Sequence, residues 1–202
     1  SAFRTRETAD LFMTLFIQLL KNTGRAAVVL PDGFLFGEGM KTRLKEKLLE
    51  ECNLHTIVRL PNGVFNPYTG IKTNLLFFTK GQPTENIWYY EHPYPEGYKN
   101  YSKTRPMKFA EFQTEIDWWG DEADGFASRE ETHQAWKVSI DEIKARNYNL
   151  DIKNPWQGET ITHDPEELLA QYQQQQAEIQ QLRNQLKTIL GDALTREAGE
   201  HA

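Results

Sequence analysis

The chain has 202 residues, of which 39% are hydrophobic and 12% aromatic, with a single cysteine and a formal net charge of −6. That length allows one sizeable core with a smaller appendage, and the lone cysteine excludes an internal disulfide framework and fits a reducing cytoplasm. Negative charge without a Lys/Arg block argues against an autonomous nucleic-acid binder, although a basic partner would supply such a surface. Neither a signal-peptide pattern nor an apolar run of membrane-spanning length is present. The mean hydropathy of −0.67 marks part of the chain as polar and outside a core.

Leu11, Leu15 and Leu19 lie four apart, as do Phe12, Phe16 and Leu20. They predict a helix over about 8–21 with a broad apolar stripe turned inward. Asn22-Thr23-Gly24 closes it, Gly24 being suited to the left-handed conformation of a helix end. The run from Arg25 to Leu30 is apolar without alternation, as expected of a central strand buried on both faces of an α/β sheet. Pro31-Asp32-Gly33 ends that strand. Residues 38–51 return to helix, with Met40, Leu44 and Leu48 inward and Lys41, Arg43, Lys45 and Lys47 on a solvated face. Cys52, near the end of that helix, reads as a structural thiol.

Leu54 to Leu60 is the next strand, closed by Pro61-Asn62-Gly63, and Asn74 to Lys80 is a third. The first two strands, joined through a helix, are expected to be parallel. The last two, joined by a loop of about a dozen residues, are expected to be antiparallel. A chain that opens on a crossover helix with no strand before it reads as the second half of a larger unit. From Gln82 to about Pro106 the chain is rich in Tyr, Pro and Lys. Trp88 to Tyr90 predicts an edge strand, which the following prolines stop. The aromatic cluster fits two readings, a base-stacking platform or a satellite core under a loop.

Residues 107–113 and 139–146 read as short helices, the second capped by Ser139 with Glu142 three residues on. Between them Asp121 to Glu131 is acidic and reads as a mobile loop, without the ligand spacing of a calcium site. The tail, about Asp164 to Leu194, differs in kind. Asp164-Pro165-Glu166-Glu167 is a helix start, and Tyr172, Ile179, Leu182, Leu186 and Ile189 form a heptad seam interrupted by Gln175. Residues 164–190 would make a helix about 40 Å long, its seam meeting another helix of this protein or one from a partner. The expected division is therefore 1–106, a helical and loop extension over 107–160, and a long C-terminal helix over 161–202.

The usual catalytic constellations are missing. The sequence has no phosphate-cradling glycine loop, no metal-type Cys/His set and no serine elbow. The histidines at 55, 92, 133, 163 and 201 have no partners at metal-ligand spacing and read as structural or solvent-facing. What remains is the loop Gly63-Val64-Phe65-Asn66-Pro67-Tyr68-Thr69-Gly70-Ile71-Lys72-Thr73-Asn74.

Three blocks, in this order, carry a resemblance to a known family. They are Gly24-Arg25-Ala26-Ala27-Val28-Val29-Leu30-Pro31-Asp32-Gly33-Phe34-Leu35-Phe36, then Thr69-Gly70-Ile71-Lys72-Thr73-Asn74-Leu75-Leu76-Phe77-Phe78-Thr79-Lys80-Gly81. The third is Trp136-Lys137-Val138-Ser139-Ile140-Asp141-Glu142-Ile143-Lys144 running into Asn147-Tyr148-Asn149-Leu150-Asp151. Over roughly residues 5–190 the chain resembles the modification (M) subunit of type I restriction–modification systems, a gamma-class N6-adenine DNA methyltransferase.

The resemblance implies an α/β fold: the C-terminal half of a class I S-adenosylmethionine-dependent methyltransferase sheet, with parallel strands ending in an antiparallel hairpin. A mainly helical extension and a long coiled-coil-like C-terminal helix would follow. It implies a cytoplasmic enzyme that transfers a methyl group from S-adenosylmethionine to adenine N6 in DNA. Two family motifs, the glycine-rich cofactor loop and the Asn-Pro-Pro-aromatic tetrapeptide, have no match here. In the family both lie upstream, so the cofactor site is expected mainly before this chain, which would not methylate by itself.

By the same resemblance Phe65 stacks on the flipped target base, with Tyr68 as a less favoured substitute. The plainer reading of Phe65 is a plug at the mouth of the sheet. Lys72 either touches a DNA phosphate or is simply solvated. No metal is expected. The implied partners are a specificity (S) subunit docking on the helix of 164–190, a second M subunit, a restriction (R) subunit, and DNA in the assembled complex. Two competing readings are a non-catalytic scaffold that assembles a complex through its helix, and a methyltransferase-fold enzyme acting on RNA or protein.

Overall fold

A computed structural model of the chain describes residues 7–156 together with Gln176, Ile179, Gln180, Arg183, Asn184 and Leu186. The chain divides into two units, residues 1–157 and 158–202. The six described residues of the second unit are helical and exposed. The remainder of the long helix expected over 164–194 lies outside the described residues.

In the first unit five strands form one sheet: β1 (Arg25–Pro31), β2 (Cys52–Arg59), β3 (Thr73–Lys80), β4 (Asn86–Glu91) and β5 (Ala135–Ser139). Their spatial order is β1-β3-β2-β4-β5. β3 is antiparallel to both β1 and β2, pairing Val28 with Leu76 on one side and Ile57 with Leu76 on the other. β1 and β2 therefore run in the same direction, as a helical connection requires, but with β3 inserted between them. The short loop before β3 forces the antiparallel return, as its length predicts.

Two strand expectations need correction. Trp88 to Tyr90 belongs to β4, which is interior: it pairs in parallel with β2 and antiparallel with β5. Ile87 through Tyr90 are all buried, and the prolines at 93 and 95 fall beyond the strand, so they do not restrict its pairing. The edge on that side is β5. It buries Trp136 and Val138 and exposes Lys137 and Ser139, an alternation in which the outward lysine guards the edge. Residues read as a helical extension thus complete the sheet.

β1 is the other outer strand among the described residues, not a central one. Its burial alternates, with Arg25, Ala27 and Val29 exposed.

The helix α1 (Thr8–Leu19) forms where expected but turns the other way. It buries Met13 and Ile17, together with Asp10, and leaves Leu11, Phe12, Leu15 and Phe16 exposed, with Leu19 71% exposed. Apolar residues cover most of this helix outside the stripe of Asp10, Thr14 and Gln18, so periodicity alone does not pick out one inward face. Met13 and Ile17 pack with Leu44 and Leu48 of α3 (Met40–Glu51), and with Leu54, Leu76, Phe78 and Tyr89 of the sheet. Fully burying a side chain the size of Phe78 contributes about 2–3 kcal/mol.

Lys45 is a further correction. It is 1% exposed, and its ammonium donates to the carbonyls of Leu35 (2.7 Å) and Gly37 (2.9 Å). Those carbonyls belong to the last turn and exit of the short helix α2 (Asp32–Phe36), where a cation satisfies orphaned acceptors. Burial lowers the Lys45 pKa to about 8.

The opposite face of the sheet carries Val58, Leu60, Tyr90 and Ala135. They lie under Phe112, Trp118 and Trp119 of the stretch that includes a 3-10 turn (Phe109–Phe112) and α4 (Gln113–Trp118). The acidic stretch that follows is folded rather than a loose loop. Asp121 caps a second 3-10 turn, and Phe126 and Arg129 are buried. Ser139 caps α5 (Ile140–Ala145) by accepting from the Glu142 amide at 3.3 Å, as expected. Cys52 is buried as the first residue of β2, and burial pushes its thiol up to about 11, which fits a structural role.

Candidate functional site

The three co-directional strands β1, β2 and β4 end at one rim of the sheet, where β3 begins. This is the rim at which open α/β sheets place their ligands. A polar ladder runs across it. Asn74, fully buried at the start of β3, donates its amide to the Asp32 carboxylate at 2.6 Å. Arg59, also buried, places Nη2 2.6 Å from Asp151 and 3.8 Å from Asp32, and its Nη1 donates to the Ile152 carbonyl at 2.8 Å. Asn154 joins Glu91 to the His133 carbonyl, at 3.0 and 2.7 Å. A buried guanidinium needs this many partners to offset its desolvation.

The segment Asn147-Tyr148-Asn149-Leu150-Asp151 is what brings Asp151 to the rim. Asn147 and Tyr148 both adopt positive φ, 53° and 58°. This reverses the chain after α5 so that the Leu150 amide meets the Leu35 carbonyl at 3.0 Å.

The loop between β2 and β3 rises from this rim. Its two stems are joined where the Leu60 amide donates to the Thr73 carbonyl at 3.1 Å. The Asp32 amide donates to the Lys72 carbonyl at 3.0 Å and ties the loop to β1. Gly63 has φ +78°, and a Cβ there would come within 2.5 Å of the Asn66 side-chain nitrogen. The positive φ favours glycine, and a side chain there would push the Asn66 amide aside. Two hydrogen bonds pin the loop to the segment after β4. The Tyr94 hydroxyl donates to the Asn62 carbonyl at 2.8 Å, and the Asn66 amide donates to the Tyr101 carbonyl at 3.1 Å.

Tyr101 is buried, packs on Tyr94 and Tyr98, and donates its hydroxyl to Glu111 at 2.5 Å. Burial, reinforced by that carboxylate, raises its phenol well above the ordinary tyrosine pKa. Of the two readings for the aromatic cluster, the geometry shows the packed layer under a loop.

Phe65 and Tyr68 stand on the loop, 40% and 91% exposed. Lys72 lines a cleft of about 380 Å³ with Arg59, His92, Tyr94, His133 and Asn154. The structure thus sets all three expected residues on one loop at one rim, with Lys72 in the cleft and the two aromatics on the loop beside it. In the floor of the cleft His92 is hydrogen-bonded to Glu115 and stacked on Phe112 at 4.6 Å. Sequence reasoning missed the supports, Asn66, Tyr101 and Arg59. An Asn followed by Pro in a Gly-bounded loop is a usable signal for the first, whereas the others are visible only in the folded chain.

The Asp32 carboxylate, on the first residue of α2, is engaged by Asn74 and Arg59, and Pro31 precedes that helix. Among the described residues no group of three His, Cys, Asp or Glu side chains is placed to hold a metal ion, and no helix is long and apolar enough to cross a membrane.

The N-6 DNA methylase family matches residues 2–164. Over 196 residues the chain is 76% identical to the type I restriction enzyme EcoEI methylase subunit of Escherichia coli, covering 97% of this chain and 40% of that protein. It is 34% identical over 153 residues to the EcoKI methylase subunit of E. coli K12, covering 69% of this chain and 28% of that protein. The chain thus spans less than half the length of these relatives.

Among solved structures it is similar to a modification subunit of a putative type I restriction enzyme from Vibrio vulnificus. The TM-score is 0.71 and the identity 46%, covering 80% of this chain and 35% of that one. A chain from a study of complex assembly in the type I R-M system gives a TM-score of 0.73 at 34% identity, covering 95% of this chain and 41% of that one. The chain belongs to the N-6 DNA methylase family.

Proposed function

We propose that this chain supplies the target-base half of an adenine-N6 DNA methyltransferase, the modification subunit of a type I restriction–modification system. The observation that carries the reading is the loop of residues 60–73. It presents Phe65 and Tyr68 at the rim where the co-directional strands end, with Lys72 in the adjoining cleft. A base inside a duplex is beyond reach of an enzyme until it is flipped out and stacked on an aromatic or apolar surface. Phe65 is the stacking ring in this reading, Tyr68 its substitute, and Lys72 a contact to the DNA backbone. The methyl donor is S-adenosylmethionine, held mainly by residues beyond this chain.

The second unit serves assembly. Ile179 and Leu186 are seven residues apart, helical and exposed. This supports a seam over 164–190 that docks on a helix of a specificity subunit, in a cytoplasmic complex with a second modification subunit, a restriction subunit and DNA. A net charge of −6 fits a subunit that takes its DNA address from a partner. The scaffold reading is disfavoured by membership of a methylase family.

The test is methyl transfer from labelled S-adenosylmethionine to duplex DNA by the full-length protein with its specificity subunit, followed by nucleoside analysis. The product expected is N6-methyladenine. Label in RNA, in protein or nowhere contradicts the reading. A version lacking residues 164–190 is expected to lose the specificity subunit on gel filtration, and intact assembly would remove the docking role.

A further inference from the structure

We infer that Asn66 is a positioning residue for Phe65, holding the ring's loop on a platform built by Tyr101 and Glu111. The inference rests on the reading of Phe65 as the stacking ring.

Phe65 is the residue before Asn66, and its own backbone is closed into the loop. Its carbonyl accepts from the Tyr68 amide at 2.9 Å and the Thr69 amide at 3.2 Å, while the Asn66 amide returns to the Gly63 carbonyl at 3.0 Å. These bonds shape the loop locally but do not attach it to anything. Beside the Tyr94–Asn62 bond near the loop's start, the Asn66 side chain does so next to the ring itself, by donating to the Tyr101 carbonyl, 35 residues along the chain. Gly63 leaves room for that amide, since any Cβ there would meet it at 2.5 Å.

The acceptor is not itself a free loop. Tyr101 is buried and its hydroxyl is tied to Glu111 Oε2 at 2.5 Å. Glu111 Oε1 in turn accepts from the Lys108 amide at 2.9 Å, which starts the 3-10 turn Phe109–Phe112. Phe112 packs on the inner cluster of the opposite sheet face. Hydrogen bonds to Tyr101 and Glu111, completed by the packing of Phe112, therefore connect the residue beside Phe65 to the layer that covers the sheet.

A partly exposed ring on an irregular loop loses precision unless something fixes its backbone, and misplacement of a reacting partner by about 1 Å can cost about 100-fold in rate. The chemistry to be positioned is the flat face of a flipped purine. The tie is made by a side chain that does not stack on the base, so Asn66 acts through Phe65 and not beside it.

The experiment compares the full-length enzyme, assembled with its specificity subunit on duplex DNA, as wild type, Phe65→Ala, Asn66→Asp and the double variant. Asn66→Asp keeps the shape but turns the donor into an acceptor facing the Tyr101 carbonyl. Its kcat is expected to fall about 10- to 100-fold with KM for S-adenosylmethionine unchanged. The double variant is expected to be no slower than Phe65→Ala, because the second loss has nothing left to act on.

Full kcat in Asn66→Asp alongside a slow Phe65→Ala overturns the positioning role and leaves the stacking role standing. Losses that multiply in the double variant also overturn it. Full kcat in Phe65→Ala removes the stacking role and this inference with it. If Asn66→Asp does not assemble, Tyr101→Phe, which cuts only the Glu111 tie, is expected to lower kcat in the same sense, and an unchanged kcat would overturn the inference.

Discussion

Asn74 and Asp32 meet where the sheet reverses: the amide at the start of β3 donates to the carboxylate of the first residue after β1, 2.6 Å away. The contact is local to neither strand and lies 42 residues apart in sequence. It pins the point where the loop bearing Phe65 re-enters the sheet, and it shares its carboxylate with the buried Arg59.

Replacing Asn74 with Asp would put two carboxylates in contact in a buried setting. Stability of the 202-residue chain is expected to fall by about 3 kcal/mol, and that of Asn74→Ala by about 1–3 kcal/mol. Urea unfolding followed by tryptophan fluorescence measures both. A midpoint for Asn74→Asp equal to wild type would show that the pair is not a structural clamp.

Arg129 holds the covering layer on the sheet. Its guanidinium lies 3.7 Å from the centre of the Phe126 ring, 4.4 Å from Trp118 and 5.1 Å from Trp119. It also donates to the Trp119 carbonyl at 2.7 Å and to the Thr56 hydroxyl at 2.9 Å. Arg129→Ala removes the cation from three rings and strands two acceptors, and is expected to cost about 3 kcal/mol. Arg129→Lys should recover little of it, since an ammonium cannot reproduce the planar fork. Near-ultraviolet circular dichroism should lose tryptophan signal in both. Full rescue by lysine would contradict this role for the guanidinium.

His55 sits where the register between β2 and β3 shifts, 4.7 Å from the Phe126 ring, with Nδ1 2.7 Å from the Thr56 hydroxyl. The same hydroxyl accepts from Arg129, whose positive charge disfavours a second one on the imidazole. Burial lowers the imidazole pKa to about 4 from 6.5. The folded pKa is the lower one, so below pH 6.5 the unfolded chain binds a proton that the folded chain refuses. Stability is full above pH 6.5 and declines as pH falls toward 4. Between about pH 7 and pH 5 this group removes about 2 kcal/mol. In His55→Gln that portion of the acid slope should vanish. An unchanged slope would mean that His55 is not the group responsible.

The strand succession and the reversal at β3 were legible because loop length and apolar runs are local properties. The face of α1 was not. Leu11, Phe12, Leu15 and Phe16 outrank Met13 and Ile17 by pattern, yet the sheet receives Met13 and Ile17, and only tertiary packing decides between two apolar faces. Lys45 looked like one of four solvated cations because its partners, the carbonyls of Leu35 and Gly37, are created by the end of a different helix. β5 is five residues long, too short for its alternation to outweigh a helix cap that begins at its last residue. Phe65, Tyr68 and Lys72 were legible as loop residues from the glycines and proline around them, and their roles are expectations drawn from resemblance alone. Their supports were not, because the Asn66–Tyr101 bond links segments with no shared sequence pattern.

The most direct measurement is the rate of adenine-N6 methylation by the full-length protein with its specificity subunit, at saturating S-adenosylmethionine, for wild type, Phe65→Ala and Phe65→Tyr. Base stacking on an aromatic ring is worth about 1–3 kcal/mol. A loss of about 10- to 100-fold is therefore expected in Phe65→Ala, with most of the rate restored in Phe65→Tyr. Equal rates in all three would contradict the stacking role of Phe65.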